Sequence, residues 1–461
     1  MGKTENFLTS SSINVEEKVS IISPQASVQV PLKGKEQIGH VILATFLAAL
    51  GSICFGFSLG YSSPALEDIE KEKDGIRLDQ NEGALFSSLV TLGALASSPL
   101  GGFIVDRFGR KATLMLSAVP SELGWLLIAF AQNHAMMYAG RFIAGLGIGL
   151  IAVAVPTYIA EISSAKLRGA LGSVHQLSIT AGLLLAYIFG VFFKWRAIAL
   201  AGAIIPGVLV VLMFCVPETP RWFLGHNERG AALKSLEWFR GPNGDIEQEC
   251  FEIECTLDTH EKLTFSEFLR PAIRNPLIVG VGLMVFQQLC GAIVVVFNCA
   301  SIFKSAGFDN SKAVSILLGA SQFGANIIAC LIMDKIGRRI LLMSMALLMC
   351  ISHIGLGTYF ELIIIPSNSS LHNSTVHSGL IHSIPSSYIS WLAITCIIVF
   401  NVAFSLAWGP VPWLVMSEIF PLRARGVAGS IATSAAWVPQ TAKRLDPKAR
   451  RKPRDLGSSE M

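Results

Sequence analysis

The chain contains few charged residues. Of its 461 residues only 15% are Asp, Glu, Lys or Arg, and 52% are hydrophobic, whereas soluble globular domains carry about 25% charged residues. This composition excludes an ordinary soluble protein. The net charge of +4 lies in loops and forms no basic face, so we expect no nucleic-acid partner.

The sequence also lacks the common signatures of catalysis and metal binding. It has no Walker A loop, no His-Glu-x-x-His motif and no nucleophile elbow. Its nine cysteines lie mostly inside apolar runs, without the spacing of a metal site or a disulfide framework. We therefore expect a protein that is not an enzyme and needs no metal or cofactor.

Long hydrophobic runs are the dominant feature. Ten runs approach or exceed the roughly 20 residues that a bilayer requires, and each should be a helix because lipid offers the backbone no hydrogen-bond partner. They lie at about 39–63, 83–105, 112–132, 137–162, 171–193, 197–216, 276–303, 313–333, 340–365 and 389–416.

An eleventh run begins at Gly426 but ends near Trp437, where Pro439 and a strongly basic tail follow. About a dozen apolar residues are too few to cross a core of ~30 Å. We therefore expect an all-α polytopic membrane protein in which spans 11 and 12 are incomplete, as in a truncated or variant form of a twelve-span parent.

The runs suggest five regions. We expect a cytoplasmic N-terminal tail (1–38), a six-helix half (39–216), a cytoplasmic linker with short helices (217–275), an incomplete second half (276–442) and a basic cytoplasmic tail (443–461). Lys and Arg are concentrated in the tails, the linker and the loops after spans two and eight, which places these segments on the cytoplasmic side. The ninth loop lies on the opposite side and contains two glycosylation sequons, at Asn368 and Asn373.

Two charged motifs occur twice, in the same order. Asp106-Arg107-Phe-Gly109-Arg110-Lys111 is followed 228 residues later (334 minus 106) by Asp334-Lys335-Ile-Gly337-Arg338-Arg339. Glu161 precedes Arg168-Gly169 by seven residues, as Glu418 precedes Arg425-Gly426. The repetition indicates that the two halves arose by duplication.

Further motifs give a specific resemblance. They are Gly140-Arg141-Phe142, Pro217-Glu218-Thr219-Pro220-Arg221, Gln287-Gln288-Leu289 and Gly409-Pro410-Val411-Pro412-Trp413. Over about residues 38–437 the chain resembles the sugar-porter family of the major facilitator superfamily. The sequon-bearing ninth loop resembles the subclass of intracellular-type glucose transporters and insect trehalose transporters.

The resemblance implies two six-helix halves related as parallel repeats. It also implies facilitative uniport of a hexose such as glucose by alternating access, with a disaccharide such as trehalose as the alternative substrate. The membrane would be the plasma membrane or an endosomal or lysosomal membrane. In the N-terminal tail, Glu17 to Ile22 loosely resembles an acidic dileucine signal, which would bind a sorting adaptor.

Amides in apolar helices are the main candidates for binding a sugar, because each offers donors and an acceptor without a buried charge. The alternative is that they only join helices. Trp413, and more loosely Phe404, could pack against the apolar face of the sugar ring, and a helix break beside them could serve as a hinge. The expected binding residues are Gln176, Gln287, Gln288, Gln322, Phe404 and Trp413, and the hinge residues are Gly409, Pro410 and Pro412.

The repeated charges, with Arg141, are expected at the cytoplasmic rim. In the family they form an inner salt-bridge network, which would pair across the halves when the inner gate is shut. The alternative is that they only set topology and are solvated. The set comprises Asp106, Arg107, Arg110, Arg141, Glu161, Arg168, Asp334, Arg338, Arg339, Glu418 and Arg425.

Some positions depart from the family pattern. Ile293 and Ala436 replace two asparagines, and Ser58 stands where proton-coupled relatives carry a carboxylate. Residues 41–66 contain no acidic or basic side chain, which favours uniport. Because the last spans are incomplete, the competing hypothesis is a non-transporting isoform or a regulator of a full-length transporter.

Overall fold

The computed structural model describes residues 38–72, 76–164, 167–242, 244–257, 270–297, 311–359, 386–420 and 425–445. All regular structure in these ranges is helical. The predictions for the dileucine-like signal and for Asn368 and Asn373 fall outside them. So do the side chains of Arg168, Asp334 and Arg425.

The first half consists of six long helices. They are α1 (Ile38–Lys71), α2 (Gln80–Phe108), α3 (Arg110–Ala129), α4 (His134–Ile162), α5 (Arg168–Phe192) and α6 (Trp195–Met213). The linker then forms three short helices, α7 (Pro220–Gly225), α8 (Arg229–Arg240) and α9 (Ile246–Leu257).

The second half is more interrupted. It contains α10 (Pro271–Leu289), α11 (Ala292–Phe297), α12 (Ser311–Ile336), α13 (Arg338–Tyr359) and α14 (Ser386–Ala403). A π-helical turn over Phe404–Trp408 then leads into α15 (Pro410–Ile419), and α16 (Arg425–Leu445) is the last described helix.

Ten helical stretches in the described ranges are long and apolar enough to cross a membrane. They correspond to the ten runs predicted from the sequence and confirm the expected all-α membrane fold. One stretch combines α10 and α11, and another runs from α14 into α15.

The segment expected to begin an eleventh span is α16, which is not among these ten. It continues as a helix through Pro439 to Leu445, beyond the apolar run. Ala428, Ala432 and Ala436 are buried at intervals of four residues, so they form one stripe on this helix. α16 packs against α2 of the first half and α10 of the second half.

Close helix contact in the first half depends on glycines facing each other. A Cβ added at Gly145 of α4 would lie 3.0 Å from the Cα of Gly93 in α2, and a Cβ at Gly93 would collide with the Phe142 carbonyl. Small residues let membrane helices approach closely and gain dispersion energy where no hydrophobic force acts between them.

The two halves meet along several helix pairs. α5 packs against α12 and α15, α1 packs against α11, and α2 packs against α16. Helices from both halves therefore surround the centre of the molecule.

The duplicated motif adopts the same backbone turn in both halves. Gly109, between α2 and α3, has φ +98°, and Gly337, between α12 and α13, has φ +88°. Residues with a Cβ are disfavoured at such angles. The two glycines are 228 positions apart (337 minus 109) and make equivalent turns, which supports the duplication inferred from the sequence.

We predict that Gly337→Ala destabilises the protein by about 1–2 kcal/mol through backbone strain alone, because an added Cβ meets no described atom within 4 Å. The control is Gly357→Ala inside α13, where the added Cβ also meets nothing and helix propensity should give about 0.5–1 kcal/mol of stabilisation. Thermal unfolding of the purified variants in detergent measures both changes. A Gly337→Ala protein as stable as the parent would contradict the equivalence of the two turns.

Candidate functional site

A cavity of about 660 Å³, part of it open to solvent, lies between the halves. We call it the central cavity. α1 and α5 of the first half and helices of the second half contribute to it, and most of its lining is apolar. All six predicted binding residues line it: Gln176, Gln287, Gln288, Gln322, Phe404 and Trp413.

Gln287 has three hydrogen bonds that its sequence position did not reveal. Its Nε2 donates hydrogen bonds to the carbonyls of Trp408, at 2.7 Å, and Gly409, at 3.1 Å. Its Oε1 accepts one from Gln288 Nε2 at 3.1 Å. Gln287 therefore supports the backbone where the helix is broken, in addition to lining the cavity.

The break itself is a π-helical turn. The Gly409 N–H donates to the Phe404 carbonyl at 2.8 Å, a bond that spans five residues, and Pro410 then begins α15. π-turns often occur at functional sites. Gly409 faces Gln176, whose Nε2 would lie 3.3 Å from a Cβ at this position, so the two halves touch at the break.

Gln322 differs from Gln287 in its hydrogen bonding. Its side chain is buried, and its Oε1 has no hydrogen-bond partner in the described part of the chain. A buried amide oxygen without a donor costs free energy. A donor from a ligand, such as a hydroxyl, would remove this cost at Gln322 Oε1.

Both positions that depart from the family pattern also face the cavity. Ile293 and Ala436 belong to its lining, next to Trp437. Sequence reasoning missed further lining residues, among them Phe55 and Thr180. Phe55 packs against Trp437 with ring centroids 5.7 Å apart, a contact that only the fold could reveal.

The charged rim contains an ion pair in each half. Arg110 Nη2 lies 2.9 Å from Glu161 Oε1, and Arg338 pairs with Glu418 at the repeated position. Both pairs join helices of the same half, because Arg110 begins α3 where Glu161 ends the neighbouring α4. Pairing across the halves in a shut inner gate stays a prediction, because the side chains of Arg168, Asp334 and Arg425 lie outside the described residues.

The first-half pair is embedded in further polar contacts. Thr219 Oγ1 donates to Glu161 Oε2 at 2.7 Å, and the Lys111 N–H donates to Glu218 Oε2 at 2.8 Å. Burial raises the pKa of the Glu218 carboxyl above its usual value. Asp106 lies 3.6 Å from Arg110 Nη2 and also faces Gly426 of α16. Arg107 and Arg339 are exposed.

Arg141 does not belong to this rim, so the sequence-based placement was wrong. It lies near the start of α4, twenty residues before Glu161 (161 minus 141), a separation of about 30 Å along a helix. Its guanidinium is fully buried and donates to the Ser58 carbonyl at 3.1 Å and to the Ser62 hydroxyl. Because span four runs opposite to span three, a residue near its start lies far from the rim.

A helical membrane protein with two repeated halves around a polar and aromatic cavity is built as a secondary transporter. The chain belongs to the family described as "Sugar (and other) transporter", whose model matches residues 44–443.

Individual relatives agree with this assignment. The mouse "Solute carrier family 2, facilitated glucose transporter member 8" is 39% identical over 405 residues, covering 86% of this chain and 83% of the relative. The "Facilitated trehalose transporter Tret1" of Anopheles gambiae is 34% identical over 420 residues, covering 90% and 51%. The family resemblance inferred from the sequence motifs is thereby confirmed.

A solved structure supports the fold. The proton:xylose symporter XylE of the major facilitator superfamily, bound to 6-bromo-6-deoxy-D-glucose, superposes with a TM-score of 0.74 at 25% identity. The match covers 88% of this chain and 87% of XylE. The protein is thus an integral membrane sugar transporter with the major-facilitator fold, and it is not an enzyme.

We predict that Arg110→Leu destabilises the protein by about 3–5 kcal/mol, because it leaves the carboxylate of Glu161 buried without its cation. The side chains of this pair are 13% and 5% exposed. Those of Arg338 and Glu418 are 27% and 33% exposed, so Arg338→Leu should cost clearly less. Thermal unfolding in detergent measures the loss of stability in each variant. Equal losses would contradict the assignment of different burial to the two pairs.

Proposed function

We propose that the protein is a uniporter of a hexose such as glucose and works by alternating access. The observation that carries this proposal is the central cavity, where four amides and four aromatic residues from both halves surround one space. Amides replace the water around sugar hydroxyls, and the aromatic faces suit the apolar C–H surface of the ring.

The two alternating states are proposed to exchange at the broken helix. The π-helical turn, Gly409, Pro410 and Pro412 allow α15 to move relative to α14, because proline and glycine interrupt the helix hydrogen bonds. The charged rim would then separate and rejoin as the inner side opens and closes. The contacts of Asp106 with Arg110 and with Gly426 support this role, because they connect the first-half ion pair to α16 of the second half.

Uniport is supported by the residues around Arg141. The Ser58 carbonyl and the Ser62 hydroxyl of α1 accept hydrogen bonds from its guanidinium. α1 has no acidic or basic side chain over residues 41–66. A proton-coupled carrier needs a group in the pathway that gains and loses a proton during transport, and Ser58 offers none.

The proposed substrate and membrane follow from the relatives and from the distribution of charge. One relative is named for glucose and another for trehalose, so glucose is the first substrate to test and trehalose the second. The concentration of Lys and Arg in the tails and the linker favours a cytoplasmic N-terminus. The membrane would be the plasma membrane or an endosomal or lysosomal membrane, and a sorting adaptor would bind the N-terminal tail.

The purified protein in liposomes should accumulate labelled glucose only to equilibrium, at an initial rate unchanged by an imposed pH gradient. This result follows from the absence of acidic and basic side chains over residues 41–66 of α1. Accumulation driven by an inward proton gradient and lost in Glu122→Gln would show symport instead of uniport. Absence of uptake for both glucose and trehalose would favour the non-transporting alternative.

Gln322→Leu should weaken sugar binding, because it removes the acceptor without a partner in the cavity. Loss of one buried hydrogen bond costs about 1–3 kcal/mol, so we expect KM to rise about 5- to 150-fold at unchanged expression. The control is Asn326→Leu, one turn further along α12. Asn326 is a buried amide that donates to the Gln322 carbonyl at 3.0 Å and does not belong to the cavity lining. An unchanged KM in Gln322→Leu would show that Gln322 only joins helices and does not bind the sugar.

A further inference from the structure

A hydrogen bond and a ring contact connect the first half to Trp413. Ser52 Oγ in α1 lies 2.7 Å from His175 Nδ1 in α5. The His175 ring meets the Trp413 ring of α15 edge-to-face, with centroids 5.3 Å apart and an interplanar angle of 73°. All three side chains are buried. His175 directly precedes Gln176 in the sequence, yet the sequence alone does not show which way it faces.

Trp413 stands between two cavities. It lines the central cavity and also a second cavity of about 380 Å³, part of it open to solvent, which we call the inner cavity. Pro156, Thr157 and Ala160 of α4 line the inner cavity. They lie within five residues of Glu161, so the inner cavity is on the side of the charged rim.

Residues of α16 line both cavities. Thr433 of α16 lines the inner cavity, and Ala436, three residues later, lines the central cavity. Residues three apart lie on one helix face, less than a turn from each other. Trp413 belongs to both linings, so its side chain lies where the two cavities adjoin.

The two ends of the connection lie in helices of different length and regularity. Ser52 lies in α1, a helix of 34 residues, and the adjacent Gly51 packs closely on Val155 of α4. Trp413 lies in α15, a short helix that follows the π-helical turn and begins with Pro410. A side chain on the helix that is proposed to move is therefore contacted by a residue of the first half.

Burying the imidazole of His175 here costs free energy. In the described part of the chain its Nε2 has no hydrogen-bond partner, and a buried polar atom without a partner costs free energy. A phenylalanine would fill similar volume without that cost. What histidine adds is the bond to Ser52, which fixes the angle of the ring that Trp413 contacts.

We propose that His175 is a positioning residue, which, held by Ser52, keeps the Trp413 indole between the central and inner cavities. Separation of Trp413 from His175 then accompanies the opening of the central cavity toward the charged rim. The proposal builds on the alternating-access function, but the position of Trp413 can be measured without any sugar.

The test uses single cysteines on either side of the indole. Ala436→Cys reports on the central cavity and Thr433→Cys on the inner cavity. A membrane-impermeant methanethiosulfonate reagent is applied from the side that carries Arg110 and Glu161. The labelling rate of the protein without the added cysteine is subtracted as background. Ser52→Ala should speed labelling of the cysteine at 436 about 2- to 12-fold, the range that one net hydrogen bond allows, and leave the cysteine at 433 unchanged.

Thr45→Ala is the matched control, because Thr45 is another buried hydroxyl of α1 but bonds the Val41 carbonyl of its own helix. It should change neither rate. Ser52→Thr, which keeps the hydroxyl, should restore the parent rate at 436. His175→Phe, which keeps a ring but loses the bond, should reproduce Ser52→Ala.

Either of two results would overturn the proposal. One is an unchanged rate at 436 in both Ser52→Ala and His175→Phe. The other is faster labelling at 433 as well as at 436, or in Thr45→Ala, which would show general loosening of the bundle. Because no sugar is present, a failure here is distinct from a failure of the proposed transport, which liposome uptake measures.

Discussion

The hydrocarbon core of a membrane offers no water, so every polar group placed there must find its partner in the protein or in a ligand. This constraint makes the spans helical, since a helix pairs its own backbone groups. It also decides how the helix between α14 and α15 can be broken. The carbonyls of Trp408 and Gly409 receive hydrogen bonds from Gln287, and the π-helical turn closes through Gly409 and Phe404.

The same constraint separates two uses of amides in the central cavity. Gln287 stabilises the broken backbone, whereas Gln322 has an oxygen without a described partner. An arrangement in which all amides were satisfied internally would have little affinity for a sugar. One in which none was satisfied would destabilise the fold by several hydrogen bonds. The cavity combines both kinds, so a polar ligand can be held without a buried charge.

Much of this arrangement could be predicted from the sequence, because hydropathy and the duplicated motifs act locally. The ten spans, the turns at Gly109 and Gly337 and the amides that line one cavity all follow from short patterns. The ion pairs within each half and the depth of Arg141 did not follow, because they depend on which helices are neighbours and on their direction. The contact of His175 with Trp413 joins positions 238 residues apart (413 minus 175), and only the fold brings them together.

The space between the halves is the proposed sugar site, and an experimental structure of the protein with glucose tests this most directly. We expect a sugar ring in the central cavity, with a hydroxyl within about 3.5 Å of Gln322 Oε1 and an apolar face toward Trp413. Density for the sugar elsewhere in the protein, or a central cavity that stays empty at saturating glucose, would contradict it.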